Sequence, residues 1–398
     1  MSRAATAPTV GPGRSVRRIH ESSFLLIANG SHDSPPAGPF QEYLTRLGAK
    51  RVTMIVHPLT AEGDSRHEIT VYERGREASQ RWVRLPSHPP HTYPLDFFIP
   101  PWPDLVDGWF AFNNLACARG LLARRVRRAS TVVYWAVDFV PDRFGEGLMT
   151  RAYDALDRWC CVRADARFEL SRPALEARSA RHGIGPERQA PAEVVPIGAW
   201  LDRVPAVPED GWRARRIVFM GHLVPRQGVE MLIQALRILT ERGVEFDAEI
   251  AGRGPLEESL RAAAREAGLD GRLRFLGYKS DHREVEAFLA AGSVAVAPYD
   301  TEVESFTRFA DPSKLKSYLA AGLPTLTTDV PPNAYELMEH AGAEVVPFDA
   351  AGLADAIERV LASPEDWVRR RSAALEYARG FDWMEIFTRA LETVGFSS

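Results

Sequence analysis

Cysteine is scarce in this chain. Three residues among 398, Cys117, Cys160 and Cys161, form no CxxC pair and no Cys/His spacing suited to zinc, and their odd count gives no disulfide framework. A reducing cytoplasm is the expected compartment. Long apolar runs are also missing: the longest, such as 24–28, are strand-sized and fall far short of the ~20 residues that cross a bilayer. Residues 1–20 lack the apolar stretch of a secretory signal and carry Pro, Gly and Arg3, Arg14, Arg17 and Arg18, which reads as a disordered basic arm. Neither charge sign dominates. Forty-nine basic and 53 acidic side chains leave a net charge of -4, so the overall field argues against nucleic acid as a partner. Lysine is rare, with only Lys50, Lys279, Lys314 and Lys316, two of them almost adjacent.

What is present is an ordinary globular composition, 45% hydrophobic and 26% charged. At roughly 100 to 200 residues per domain, the length suggests two domains. From residue 22 onward, short apolar runs alternate with amphipathic segments, the pattern of parallel strands joined by helices. Strands are expected at 24–28, 51–56 and 131–135, with helices at 39–47 and 115–128. The stretch 84–103, rich in Pro, His and aromatics, fits neither period and reads as a long loop. A Pro- and charge-rich segment, 204–214, has the composition of an interdomain linker. Beyond it strands at 216–220, 247–251, 273–276, 294–298 and 324–327 alternate with helices at 228–240, 255–267, 283–291 and 313–321. The expectation is an α/β protein with two Rossmann-like βαβ domains, 21–203 and 215–378, facing a cleft, and a C-terminal helix within 379–398 returning to the first domain.

Ligands of open parallel sheets sit beyond the carboxyl ends of the strands, so the loops after the second-domain strands are the place to look for chemistry. Gly221-His-Leu-Val-Pro-Arg-Gln-Gly228 leaves a strand and opens a helix, which offers unpaired N–H groups to an anion and places Arg226 beside it. A plain turn with a solvated Arg226 is the competing reading. Ala251-Gly-Arg-Gly-Pro255 begins like a dinucleotide fingerprint but has Glu257 where the third glycine belongs, so a nicotinamide cofactor is not supported. In Asp311-Pro-Ser-Lys-Leu-Lys316, Pro312 and Ser313 suit a helix start, and Lys314 then lies in the first turn, an unfavourable place for a cation unless an anion sits there.

These segments, with Arg274-Phe-Leu-Gly-Tyr278 and the run to Gly322-Leu-Pro324, resemble in order the donor-binding domain of GT-B glycosyltransferases, most of all the large family-4 group. The resemblance covers about 215–330. It implies transfer of a sugar from a nucleoside-diphosphate donor, a substrate rather than a cofactor, with the diphosphate at Gly221, His222, Arg226, Gln227, Gly252, Pro312, Ser313 and Lys314, and the base near Tyr278. Many members have two glutamates where this chain has Phe309 and Ser317. Ser317 is expected to share the ribose, and Asp311, Glu302 or Glu304 to replace the first glutamate.

The first domain matches more loosely, through Tyr134-Trp-Ala-Val-Asp138. There Asp138 is expected either to deprotonate or orient an acceptor hydroxyl, or to pair with Arg143. His32, in the loop after the first strand with Asp33, is the alternative base. Tyr93 and Trp102, in the stretch that also holds His88 and His91, are candidates for the acceptor wall. No Asp-x-Asp triplet occurs, so no metal is expected. The acceptor is a glycan, a lipid-linked sugar or a small molecule. The arginines 119, 124, 125, 127 and 128 form either a patch for an anionic membrane surface, with peripheral attachment, or a solvated helix face. A sugar-nucleotide 2-epimerase of the same fold and a non-catalytic nucleotide-sugar-binding subunit are the alternatives.

Overall fold

The computed structural model describes residues 16–32, 34–58, 66–84, 93–100, 102, 104–279, 281–303 and 306–398. Asp33, His88, His91, Glu304 and residues 1–15 of the expected arm lie outside them. The chain divides into two compact units, one of residues 1–196 with 383–398, the other of residues 197–382.

Unit 1 is built on an eight-stranded sheet in the order Arg76–Arg84, Arg66–Glu73, Arg51–His57, Ser23–Asn29, Val106–Ala111, Ala129–Ala136, Ala166–Glu169, Ala192–Val194. The six strands from Arg51–His57 to Ala192–Val194 are parallel. The first two are an antiparallel hairpin, so the sheet is mixed and not wholly parallel as expected. Its turn explains the difference. Arg74 and Gly75 adopt φ of 47° and 83°, the two positive values that a two-residue hairpin turn needs to match strand twist. The edge strand it adds is exposed almost throughout, so no apolar run marks it in the sequence.

The central parallel strands are buried on both faces, Phe24–Ala28 completely, which is why they read as unbroken apolar runs, while the edge strand Ala192–Val194 is only partly buried. On one face the C-terminal helix Trp383–Thr393 packs Phe387 against Phe40 at 5.1 Å and Tyr43 at 5.4 Å between ring centroids. The final strand Phe396–Ser397 pairs with Arg17–Arg18, and Ile19 is buried. Residues 16–20 therefore belong to the folded unit, a correction to the arm expected over 1–20.

Unit 2 carries a six-stranded parallel sheet in the order Leu273–Gly277, Asp247–Ala251, Arg216–Met220, Val294–Ala297, Thr325–Thr327, Glu344–Val345. The segment 204–214, expected as a linker, is packed into this unit. Val207 is buried, its N–H donating to Ala321 O at 2.8 Å, and Ser293 Oγ donates to Gly211 O at 2.7 Å. Pro and charge in that stretch serve a turn-rich path over the sheet rather than a free connection.

In both sheets the strand order reverses direction once, beside Ser23–Asn29 in unit 1 and beside Arg216–Met220 in unit 2. Crevices open at such switch points, outside the carboxyl ends of the two strands that diverge.

Candidate functional site

At the switch point of unit 2, strand Arg216–Met220 ends in Gly221, whose N–H donates to Ala251 O at 3.0 Å; Gly252 N–H in turn donates to Gly277 O at 2.9 Å. The ends of three strands are thus laced together through glycine. Two of these glycines admit nothing larger. A Cβ on Gly252 would lie 1.8 Å from Gly221 O, and one on Gly228, at φ 63°, 1.8 Å from Pro298 O.

The helix Ser313–Ala320 starts at Pro312 without a side-chain cap or any acidic residue in its first turn. Tyr318 of this helix donates no support to its own turn but accepts the Met220 N–H at 2.8 Å, which ties the helix to the end of the strand. Lys314 consequently lies beneath the Gly221 loop, buried. Its ammonium donates to Gln227 Oε1, and sits 4.2 Å from the Phe219 ring centroid and 5.0 Å from that of Tyr299. Burial, and then the nearby Arg226, push its pKa down to about 7. His222 is likewise lowered, by burial and by Arg226, Lys314 and Arg253. Among the described residues, Arg226 and Arg253 pair with no carboxylate; their guanidinium groups stack at 4.9 Å on Phe306 and 4.6 Å on the exposed Tyr278. A buried lysine held by a neutral amide, with two further cations that have no carboxylate partner among the described residues and a helix N-terminus beside them, is an arrangement that suits an anion.

The remaining donor-side candidates divide. Ser313 is exposed at the helix start, Ser317 is part-exposed with its hydroxyl donating back to Ser313 O at 3.2 Å, and Phe309 is half-buried beyond the turn Phe306–Arg308. Asp311 is unsuited to replace a glutamate on sugar hydroxyls. It is buried, accepts the Ile197 N–H at 2.8 Å and pairs with Lys316 at 3.6 Å, a structural role.

Unit 1 has its own cavity, of about 430 Å³, at its switch point. Asn29, the last residue of its strand, and Asn113, just beyond the strand Val106–Ala111, join through Asn113 Nδ2 and Asn29 Oδ1 at 2.5 Å, while Asn113 Oδ1 caps the helix Asn114–Arg125 by accepting from Ala116 N at 2.7 Å. Tyr93, Tyr134 and Tyr153 form walls with Phe112 and Phe144. Tyr93 donates to Asn114 Oδ1 at 3.1 Å. Asp138 lines the cavity, half exposed, its carboxylate 3.6 Å from Arg143. Asp138 thus lies at a cavity and within ion-pair distance of Arg143 at the same time.

Two candidates fall elsewhere. His32 turns toward the hairpin, where Tyr72 Oη is 3.1 Å from its Nε2 and Glu68 Oε1 3.3 Å from its Nδ1, and it is no part of the cavity lining. The hairpin that captures it was invisible in the sequence. Trp102, half-buried, packs against the core cluster, 5.8 Å from Phe97 and 4.6 Å from the Arg119 guanidinium, and is not among the residues lining the cavity. Arg119 itself is buried and Arg124 pairs with Asp165, which removes both from any surface patch. Asn29, Asn113, Tyr153 and Arg253 were given no role by the sequence; Arg253 alone lay inside a quoted motif.

Two clusters among the described residues group metal-capable side chains, His57 with His67 and Asp96, and Asp157 with Cys161 and His182. In the first the two Nδ1 atoms are 2.9 Å apart, a hydrogen-bond distance and shorter than the roughly 3.3 Å edge of a tetrahedral zinc site with 2.0–2.1 Å bonds. Arg119 lines the same void of about 10 Å³, an unwelcome neighbour for a second cation. In the second Asp157 already takes bonds from Tyr134, Arg178 and His182. Both are hydrogen-bonded networks.

Residues 214–363 match the family described as glycosyl transferases group 1. The chain is 30% identical over 183 residues to D-inositol 3-phosphate glycosyltransferase of Corynebacterium efficiens, covering 44% of this chain and 41% of that protein. It is 32% identical over 213 residues to phosphatidyl-myo-inositol mannosyltransferase of Mycobacterium leprae, covering 51% and 54%. The chain thus spans about half the length of the curated relatives it matches. Among solved structures it superposes on sucrose-phosphate synthase from Thermosynechococcus elongatus with a TM-score of 0.68 at 16% identity, covering 94% of this chain and 98% of that one. Anabaena Alr3699/HepE in complex with UDP gives a TM-score of 0.63 at 17% identity, covering 94% and 99%. The two curated relatives are named as a glycosyltransferase and a mannosyltransferase. Residues 214–363 are thus a segment of the glycosyl transferases group 1 type, in a chain with the two-Rossmann-domain GT-B fold.

Proposed function

We propose that the protein transfers a sugar from a nucleoside-diphosphate sugar, held in unit 2, to a hydroxyl of an acceptor held in the cavity of unit 1. The observation that carries this reading is the buried, carboxylate-free ammonium of Lys314 beneath the Gly221 loop, beside Arg226 and an uncapped helix start. Those groups would neutralise the diphosphate in the ground state and the charge that grows on it as the sugar leaves, so the reaction needs no metal and no cofactor. Tyr278, exposed and stacked with Arg253, is the natural surface for the base. One of the proteins of similar fold was captured with UDP, in keeping with a nucleotide donor.

Asp138 is the group in the unit 1 cavity that can accept a proton from an attacking hydroxyl, or orient that hydroxyl. Among the described residues the cavity's carboxylate and guanidinium, Asp138 and Arg143, pair with each other among aromatic and amide walls, which favours an uncharged acceptor with an apolar face: a glycan, the sugar end of a lipid-linked intermediate, or a small molecule. Calorimetric titration with UDP, GDP, dTDP and ADP without added metal tests the reading. Saturable binding of one nucleotide is the expected result, and binding of none sinks it.

No helix among the described residues is long and apolar enough to cross a membrane. A cytoplasmic enzyme attached peripherally to anionic lipid is the place we propose for it, on the strength of exposed Leu122 and Val126 next to exposed Arg125, Arg127 and Arg128. Co-sedimentation with phosphatidylserine vesicles, lost in 0.5 M salt, is the expected outcome; equal recovery with neutral vesicles would exclude the electrostatic part.

A further inference from the structure

Two walls of the unit 1 cavity, Tyr134 and Asp138, are held from behind by one buried side chain. Arg178, on the helix Arg172–Arg181, donates Nε to Glu169 Oε1 at 2.8 Å, Nη1 to Asp157 Oδ2 at 2.7 Å, and Nη2 to the carbonyl oxygen of Asp138. Asp157 also accepts from the Tyr134 hydroxyl, and its Oδ2 lies 2.6 Å from His182 Nε2. Burial pushes the Asp157 carboxyl up, but Arg178, His182 and Tyr134 outweigh it and hold the pKa well below the usual range, so the carboxylate stays charged. The ring of Phe139 lies 5.4 Å from the guanidinium carbon.

A buried arginine between two carboxylates is by itself weak evidence for anything beyond cohesion. Its third bond is what distinguishes this one. Residues 137–140 follow strand Ala129–Ala136 without regular structure, and the half-exposed Asp138 side chain forms, among the described residues, one ion pair, with Arg143 at 3.6 Å. The direction of that carboxylate therefore depends on where its own backbone is pinned, and the pin is Nη2 of Arg178.

We propose that Arg178 is a positioning residue for the acceptor site, setting the Asp138 carboxylate through its carbonyl and the Tyr134 ring through Asp157. The proposal rests on the transferase reading of that cavity. The guanidinium donates to its three acceptors from three different nitrogens in a fixed plane, whereas an ammonium presents its donors from a single point on a flexible stem.

Arg178→Lys keeps a charge between Asp157 and Glu169 and so preserves the fold better than a neutral replacement. The expected result is at least tenfold lower kcat with acceptor, little change in acceptor KM, unchanged nucleotide-diphosphate affinity, and faster amide hydrogen exchange in residues 137–142. Arg167→Lys is the control. Arg167 Nε lies 3.5 Å from the same Glu169, but its Nη2 bonds reach Ser179 and Gln189, away from the cavity, and this variant should match wild type in every readout. Unchanged exchange over 137–142, unchanged acceptor kinetics, or equal effects from both variants would overturn the proposal. A wild-type protein that transfers to no acceptor would sink the transferase reading alone, because the exchange measurement decides the role of Arg178 without any substrate.

Discussion

The two candidate sites occupy equivalent places, each at a switch point between parallel strands, yet are made of different material. In unit 2 the site is mostly backbone and charge: glycines packed to within an atom's width of neighbouring carbonyls, an uncapped helix, and cations without carboxylate partners. In unit 1 it is side chains, with joined amides, aromatic walls and one carboxylate–guanidinium pair. A diphosphate is the same in every nucleotide sugar, so a site for it can be built from backbone N–H groups and fixed cations. An acceptor needs a shape, and shape is made by side chains from several segments.

This contrast can be broken by mutation. Asp138→Asn should lower turnover by roughly 10²-fold or more if Asp138 accepts the proton, while leaving nucleotide affinity near wild type. Product formation with saturating donor, set against calorimetric Kd, measures both; a large loss of nucleotide affinity would show that the sites do not divide the work as described. Lys314→Ala should do the reverse, weakening nucleotide-diphosphate binding by about 1.5–3 kcal/mol, the range for hydrogen bonds to charged groups, in a protein that still melts cooperatively. Unchanged Kd would remove Lys314 from the donor site.

The smallest effect is a pH slope confined to unit 2. Free Lys314 loses its proton near pH 7, held down by burial and Arg226, whereas a bound anion favours the ammonium. Nucleotide affinity should therefore fall as pH rises above about 7, by at most tenfold per unit, with proton uptake on binding that Lys314→Ala abolishes. The stability of the unliganded protein carries the opposite sign. Between about 7 and the ordinary value of 10.5, the unfolded chain binds this proton more tightly than the folded one, so the Lys314 contribution to stability rises with pH across that window. Calorimetric titrations at pH 6.5, 7.5 and 8.5 in buffers of different ionisation enthalpy decide the point, and a flat profile would refute it.

The same contrast explains what was legible in the sequence. Lys314 could be singled out because its conflict with the helix start is local, spread over three residues from Pro312, and the glycines could be singled out because strand, turn and helix follow one another directly. The unit 1 cavity offered no such signal. Asn29 and Asn113 are 84 positions apart and each looks like an ordinary turn or cap residue, and Tyr153 looks like a core aromatic; Tyr93, singled out in an aromatic-rich stretch, does line the cavity. Asp138 was found only because it follows a clear strand. His32 and Trp102 were misplaced for the matching reason, since the groups that claim them, Glu68 and Tyr72 on the hairpin and Arg119 on a helix, are distant in the chain.

By itself the sequence determined the alternation of strands and helices, the switch from apolar runs to amphipathic segments, and the anion-ready turns of unit 2, because each rests on backbone preferences spanning a few residues. Only the tertiary structure decided that residues 16–20 and 204–214 are packed, that an exposed hairpin extends the first sheet, and that Arg178 reaches the Asp138 carbonyl. Those outcomes depend on which distant groups share a buried space, where an unsatisfied polar atom costs more than local propensity can repay.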